Sequence, residues 1–402
     1  MADTTTAPAA PPPPPANGDE SPQPSKSTLA GWLPTVRVTL LSIVLALLVG
    51  ALLIIVSNDE VISALPYFFS YPMDTVRAAA SAVADSYSAL VEGSFGSGNA
   101  IAATLERAAP LTCAGLGVTL AFRVGLFNIG AQGQLIAGAV CAGYVGFTWD
   151  LPAGAHLFVA LLAGLIGGAI WGAVVGVLKS QTGAHEVIVT IMLNYVALAI
   201  LRWLLTLDTF QVPGSNDPKS PVVDGGAQFP DLLGVHTGVL VALLAAFGVW
   251  WLLERSTLGF QMRAVGANPD AARTAGMSVG KSYTLAMVFA GLLAGLAGVQ
   301  QVLGHEDPLT DGIAGSVGFD AITVALLGRA TPGGTVLAAI LFGALDSGGR
   351  QMQAATGTPL DLTTVLQALI VLFVAAPALV RSVFRFKDTG ADGAVLAKGW
   401  NS

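Results

Sequence analysis

Long apolar runs separated by short polar connections occupy most of this chain, from residue 38 to residue 380. Hydrophobic residues make up 53% of the 402 residues and charged residues only 11%, whereas a soluble domain carries about 25% charged residues. Because so few charges cannot cover a soluble fold of this length, the composition predicts an all-α integral membrane protein. The 48 glycines agree with that class, since glycine permits close packing of membrane helices.

Ten apolar segments predict about ten transmembrane helices, which places the N and C termini on the same side. Two segments, 317–328 and 333–347, are short for a span of about 20 residues, so they form either two tilted helices or one re-entrant hairpin. The ten segments are Val38–Val56, 101–122, 125–147, 156–178, 186–207, 236–253, 282–303, 317–328, 333–347 and 361–380.

Charge predicts the orientation of these segments. Most of the 18 basic residues lie in loops and tails on the side of the termini, and the opposite loops are acidic. The positive-inside rule then places both termini in the cytoplasm. The Pro-rich residues 1–31 are predicted to be a disordered cytoplasmic tail. Residues 32–385 are predicted to be the transmembrane domain, with a cytoplasmic loop at 254–281, and residues 386–402 a second cytoplasmic tail.

The stretch AGMSVGKS, residues 275–282, ends like a phosphate-binding loop. The first glycine of the pattern is replaced by Ala275, and no strand precedes the stretch, so we expect no ATP binding by this chain. Asn268 as N-cap, Pro269 at the first helical position and Gly276 after the last turn instead predict a short helix over 269–275. A helix this short is not stable alone in water and is expected to dock on another surface.

Three amide side chains interrupt the apolar, glycine-rich stretch FRVGLFNIGAQGQLIAGA, Phe122–Ala139: Asn128, Gln132 and Gln134. Glycines here are expected to loosen or break the start of the helix. Broken membrane helices occur where the backbone lines a cavity, which favours a polar patch on a translocation path. Hydrogen bonding that holds neighbouring helices together explains the same residues, and the sequence leaves both interpretations open.

Further polar candidates lie in two other stretches. In HEVIVTIMLNYVALAILRWLL, Asn194 lies about 12 Å along the helix from Glu186, so Asn194 and Tyr195 either contact a substrate or serve packing. Asp320 is the carboxylate best placed near a transmembrane region on the outer side, either as a functional acid or as a helix-start residue. The four histidines are scattered, and we expect no catalytic residues, no metal site and no bound cofactor.

Four stretches together resemble the permeases of ATP-binding-cassette importers, in the subset that includes branched-chain amino acid, simple sugar and nucleoside permeases. FNIGAQGQ is most similar to the nucleoside type, although many of those carry an acidic residue where this chain has Gln132. The resemblance implies that 268–276 is a coupling helix, which fits a groove on a separate ATPase subunit that binds the ATP. The four stretches are Ser256–Gly298, Phe122–Ala139, His185–Leu205 and Gly318–Leu345. The residues implied in coupling are Arg263, Asn268, Pro269, Ala271, Ala272, Arg273 and Gly276.

The resemblance also implies the partners and the location. These are the ATPase, a second permease subunit (identical or homologous), an extracytoplasmic substrate-binding lipoprotein and a small-molecule substrate, in a bacterial inner or plasma membrane. No enzymatic activity and no nucleic-acid partner are expected. Nucleosides are the first choice of substrate, followed by ribose-like sugars and branched-chain amino acids. An ion-coupled secondary transporter remains the alternative from another class, but it gives no reason for a capped helix in a basic cytoplasmic loop.

Overall fold

The computed structural model describes residues 28–215, 217–232, 234–304 and 307–376, together with Val383. Within these residues the fold is almost entirely helical, and one short hairpin forms its sheet. The helices are α1 (Thr28–Ser57), α2 (Asp59–Ala64), α3 (Pro72–Phe95), α4 (Gly98–Arg123), α5 (Ala131–Thr148), α6 (Ala155–Thr182), α7 (Glu186–Leu204), α8 (Gly238–Arg255), α9 (Thr257–Ala267), α10 (Pro269–Thr274), α11 (Val279–Val299), α12 (Val317–Leu327), α13 (Pro332–Thr356) and α14 (Leu360–Ala375). The antiparallel strands are β1 (Asp231–Leu232) and β2 (Val235–His236).

The two predicted tails fall largely outside these residues. Helix α1 begins at Thr28, slightly before the predicted boundary at residue 32. The remainder of the Pro-rich segment and the segment 386–402 lie outside the described residues.

Among the described residues, five helices are long and apolar enough to cross a membrane, so the all-α membrane class is confirmed. These spans are Leu40–Ser57, Ala155–Thr182, Glu186–Leu204, Gly238–Arg255 and Val279–Gly304. Helix α4 is less apolar because it lies at the centre of the bundle, where every residue from Ala108 to Ala121 is buried. A helix enclosed by other helices can use alanine, glycine and threonine where a lipid-facing helix needs larger apolar side chains.

Glycines bring α6 and α11 into backbone contact. A Cβ atom at Gly168 would collide with the backbone of Gly291 and Gly295, and one at Gly172 would collide with the backbone of Met287. The close helix packing expected from the many glycines of this chain is therefore present between α6 and α11.

Residues 58–97, which separate the first two predicted apolar segments, are not an irregular connection. They form α2 and the long helix α3, which packs on α13 through small side chains. Ser94 is buried and its hydroxyl donates a hydrogen bond to the Ala344 carbonyl oxygen at 2.6 Å. Hydropathy does not reveal such a helix, because it is held by close approach of alanine, serine and glycine.

The two short predicted segments form two helices of unequal length. Helix α12 has 11 residues and extends only about 16 Å, whereas α13 has 25 residues and extends about 37 Å, enough to cross a bilayer. Between them the chain turns sharply through Arg329 and Ala330, whose φ angles are 54° and 48°. The Arg123 guanidinium donates to the Ala330 carbonyl oxygen at 2.7 Å and ties this turn to the end of α4.

Candidate functional site

The helix break predicted from the glycines after Phe122 is present. Helix α4 ends at Arg123 and α5 begins only at Ala131. The first residues of the predicted segment 125–147 are therefore not helical. Gly125 has a φ of +79°, a conformation that favours glycine. A non-helical segment within a membrane bundle leaves backbone groups without helical partners, and these groups need other hydrogen bonds.

The Asn128 side chain provides one such bond, and the Gln134 side chain holds Asn128 in place. Asn128 accepts a hydrogen bond from the Gly130 backbone N–H at 2.9 Å and donates one from Nδ2 to Gln134 Oε1 at 3.0 Å. Both side chains are fully enclosed. In this conformation Asn128 and Gln134 stabilise the break and do not face an open cavity.

Asn194 holds the same segment from α7. Its Oδ1 accepts from the Gly133 backbone N–H at 2.8 Å, and its Nδ2 donates to the Ile129 carbonyl oxygen at 2.9 Å. The side chain therefore links α7 to a residue just before α5 and to a residue in the first turn of α5. Tyr195 is 67% exposed on the outer surface of the bundle, so the structure does not bring it together with the other amides.

Gln132 joins the starts of two helices. Its Nε2 donates to the Gly315 carbonyl oxygen at 2.8 Å, and its Oε1 accepts from the Gly318 backbone N–H at 2.9 Å. Gly315 lies in the irregular segment that precedes α12 and has a φ of +45°. The beginnings of α5 and α12 thus meet at one polar point, and Asp320 lies one turn further along α12, where it accepts from the Ser316 hydroxyl at 2.6 Å.

A charged cluster beside Asp320 was missed at the level of sequence. We name Arg107, Asp346 and Arg350 the α4–α13 ionic cluster. Asp346 Oδ2 lies 2.9 Å from Arg107 Nη1 and 3.4 Å from Arg350 Nε. Asp320 and Asp346 are close enough for their charges to interact. The one available signal was the four-residue spacing of Asp346 and Arg350, which places both charges on one face of a helix.

Asp307 in the connection to α12 belongs to the surroundings of this cluster. Burial raises the pKa of the Asp307 carboxyl, and the positive charges of Arg107 and Arg350 oppose that shift. Glu106, the neighbour of Arg107, has another role, because its Oε1 accepts from the His236 backbone N–H at 3.2 Å. The cluster thus lies close to the hairpin of β1 and β2.

The predicted loop 254–281 contains two helices, α9 and α10. Helix α10 is the expected short helix: Asn268 Oδ1 accepts from the backbone N–H groups of Asp270 and Ala271 at 3.0 Å, and Pro269 occupies the first turn. Gly276 has a φ of +82°, as expected for a glycine that ends a helix.

Only one residue of α10 faces the protein interior. Ala272 is 4% exposed and packs in the apolar core between α4, α9 and α11. Arg263 is held within its own chain by an ion pair to Glu254 at 2.8 Å. Asn268, Pro269, Ala271 and Gly276 are exposed, as is Arg273, whose only described ion pair is with Asp270 at 3.2 Å.

A cleft of about 490 Å³ adjoins α10. It is lined by Lys179 at the end of α6, Arg273, and the first turn of α11 with Ser278 and Tyr283. Lys179 also forms an ion pair with Glu186 at 2.8 Å. Because the described residues that line the cleft include two cationic side chains and no carboxylate, it is a basic surface directly beside the exposed face of α10.

A metal centre does not form among the described residues, where no three His, Cys, Asp or Glu side chains come together.

Comparison with known proteins gives a family and several close relatives. The family model described as the permease component of branched-chain amino acid transport systems matches residues 100–375. The chain is 39% identical over 364 residues to the guanosine ABC transporter permease protein NupP of Bacillus subtilis, covering 88% of this chain and 97% of the relative. No solved structure matches the chain.

Two further relatives are named for glucose and for nucleosides. The glucose ABC transporter permease protein TsgB13 of Haloferax volcanii is 33% identical over 302 residues, which cover 72% of this chain and 80% of the relative. The nucleoside ABC transporter permease protein NupB of Lactococcus lactis is 31% identical over 327 residues, which cover 78% of this chain and 89% of the relative.

Proposed function

Because this chain belongs to the family of permease components of branched-chain amino acid transport systems, we propose that it is the permease subunit of an ATP-driven importer for nucleosides. The resemblance read from the four sequence stretches is thereby confirmed at the level of the family. The chain is a multi-pass membrane permease and not an enzyme. One observation carries the function, namely the 39% identity to a guanosine permease along 88% of the chain.

The substrate assignment rests on relatives of two kinds. Two of the three relatives described above are named for guanosine or nucleosides, and the one that matches over the greatest length is among them. The glucose permease shares less of the chain. A simple sugar is therefore the second candidate.

The proposed arrangement in the membrane follows from charge. Ten helical crossings with both termini in the cytoplasm would place the basic loop with α9 and α10 in the cytoplasm, and the hairpin of β1 and β2 outside. The membrane would be the bacterial inner or plasma membrane. In this arrangement an ATPase subunit binds from below, a substrate-binding lipoprotein delivers the nucleoside from outside, and a second permease subunit completes the pathway. ATP is bound by the ATPase and not by this chain.

For the pathway itself we propose a division of roles. Gln132 and Asp320 lie where the starts of α5 and α12 meet, and they are partly accessible. Irregular backbone at membrane depth is tolerated where it lines a water-filled cavity. Asn128, Gln134 and Asn194 are buried and would stabilise this meeting point through their hydrogen bonds at the helix break. Tyr195, at an exposed surface, would face lipid or the second permease subunit.

For coupling we propose that α10 receives the motion of the ATPase through its exposed face. That face carries Asn268, Pro269, Ala271, Arg273 and Gly276. The adjoining basic cleft suits an acidic side chain of the partner, because a charge-assisted hydrogen bond to Arg273 would replace its exposed pair with Asp270. Ala272 would anchor α10 on the permease, and Arg263 would brace the loop.

The substrate is tested on the partner lipoprotein, which binds the solute before transport. Thermal unfolding of the purified lipoprotein is followed with guanosine, other nucleosides, ribose, glucose and leucine. We expect nucleosides to raise its melting temperature and the other solutes to leave it unchanged. A shift with glucose or ribose alone would replace nucleosides with sugars as the substrate.

A further inference from the structure

We propose that the α4–α13 ionic cluster, Arg107, Asp346 and Arg350, forms the outer entrance of the pathway and that its two guanidinium groups bind the base of the entering nucleoside. This inference rests on the proposed function. It names a contact with the solute that lies outward of Gln132 and Asp320.

The depth of the cluster follows from helix length. Arg107 lies sixteen residues before Arg123, which is about 24 Å along α4 from its proposed cytoplasmic end. Asp346 lies fourteen residues after Pro332, which is about 21 Å along α13 from its proposed cytoplasmic end. A hydrocarbon core is about 30 Å thick. With α4 and α13 crossing the bilayer as proposed, the cluster lies in the outer third of the membrane, beyond the point where α5 and α12 begin.

The exposure of the cluster indicates water on that side. The side chains of Arg107, Asp346 and Arg350 are 33%, 40% and 54% exposed. Ionisable groups within membrane segments face the bundle interior or a water-filled cavity, because a charge facing lipid is costly. The carboxyl of Asp320 is near enough to interact electrostatically with Asp346, and that of Asp307 with Arg107 and Arg350.

The arginines keep donors available for a solute. Each ion pair engages one nitrogen of its guanidinium with the same oxygen of Asp346, and a guanidinium carries five N–H donors in a planar fork. Such a fork pairs with two adjacent acceptors, and guanine offers O6 and N7 in that arrangement. Asp346 fixes the orientation of both forks, which lowers the entropic cost of binding.

The test uses the complete importer in proteoliposomes, with ATPase and lipoprotein at saturating solute. Arg107→Lys and Arg350→Lys keep the charge but remove the fork. We expect each to lower guanosine uptake about tenfold or more, while the melting temperature, co-purification with the ATPase and stimulation by the lipoprotein stay at wild-type values. Arg202→Lys is the matched control, since Arg202 forms a comparable exposed pair with Asp311 at 3.4 Å, and it should leave uptake unchanged.

A second measurement identifies which atoms of the base the arginines recognise. Wild-type importer should transport 7-deazaguanosine, which lacks the N7 acceptor, more slowly than guanosine, and both lysine variants should transport the two alike. Wild-type uptake in both variants, or the same ratio of the two nucleosides in all proteins, would overturn the proposal. Loss of lipoprotein stimulation would assign the cluster to lipoprotein docking, and loss of thermal stability would assign it to a structural brace. If the wild type transports glucose but no nucleoside, the proposed substrate fails, and glucose uptake by the variants then tests the entrance separately.

Discussion

Replacement of Asn194 by leucine tests whether this amide supports the helix break or contacts the solute. The substitution removes the acceptor of the Gly133 N–H and the donor to the Ile129 carbonyl oxygen, at 2.8 and 2.9 Å. Leaving a buried polar group unsatisfied costs about 1–3 kcal/mol, and measured interhelical hydrogen bonds in a membrane protein average about 0.6 kcal/mol. For the two bonds together these values predict a destabilisation of roughly 1–6 kcal/mol.

The assay is thermal unfolding of the detergent-solubilised protein, followed by uptake in proteoliposomes. Asn194→Leu should unfold several degrees below the wild type, with a reduced rate of uptake and an unchanged apparent KM in the fraction that stays folded. Met192→Leu is the control, because Met192 lies on the same helix with its side chain exposed. An Asn194→Leu protein with wild-type thermal stability and a raised KM would refute the supporting role and make Asn194 a solute contact.

Two further substitutions test the coupling surface and the glycine contact. Ala271→Glu, on the exposed face of α10, should reduce co-purification with the ATPase at an unchanged melting temperature. Ala272→Glu buries a charge and should lower the melting temperature itself. Equal behaviour of the two variants would contradict the assigned faces. Gly168→Ala should destabilise the α6–α11 contact by about 1–3 kcal/mol, measured by thermal unfolding. Gly248→Ala is the control, because a Cβ atom at Gly248 would have no neighbouring atom within 4 Å. A Gly168→Ala protein as stable as the wild type would contradict the backbone contact.

Much of this fold follows from local pattern. The apolar runs that became α1, α6, α7, α8 and α11 are visible because lipid-facing helices need continuous apolar surface. The caps of α10 were equally readable, since Asn268, Pro269 and Gly276 act within a few residues of one another. The break before α5 was predicted from its glycines, although the start of α5 was placed too early.

The parts that sequence reasoning missed depend on contacts between distant segments. Helix α3 is held by small side chains such as Ser94 against α13, and small polar residues carry no hydropathy signal. Arg107 and Asp346 are 239 positions apart, and nothing local indicates that their helices pack side by side. The direction of Ala272 was likewise set by tertiary packing, because two turns of helix with several small residues do not reveal which face is buried.

We propose above that ATP hydrolysis on a separate subunit drives nucleoside import through this chain. The direct measurement is uptake of radiolabelled guanosine into proteoliposomes that contain the permease and its ATPase, with the lipoprotein outside and MgATP at the cytoplasmic face. We expect accumulation against a gradient that requires ATP, the lipoprotein and a hydrolysis-competent ATPase. Accumulation by the permease alone, driven by a proton or sodium gradient and indifferent to ATP, would contradict it.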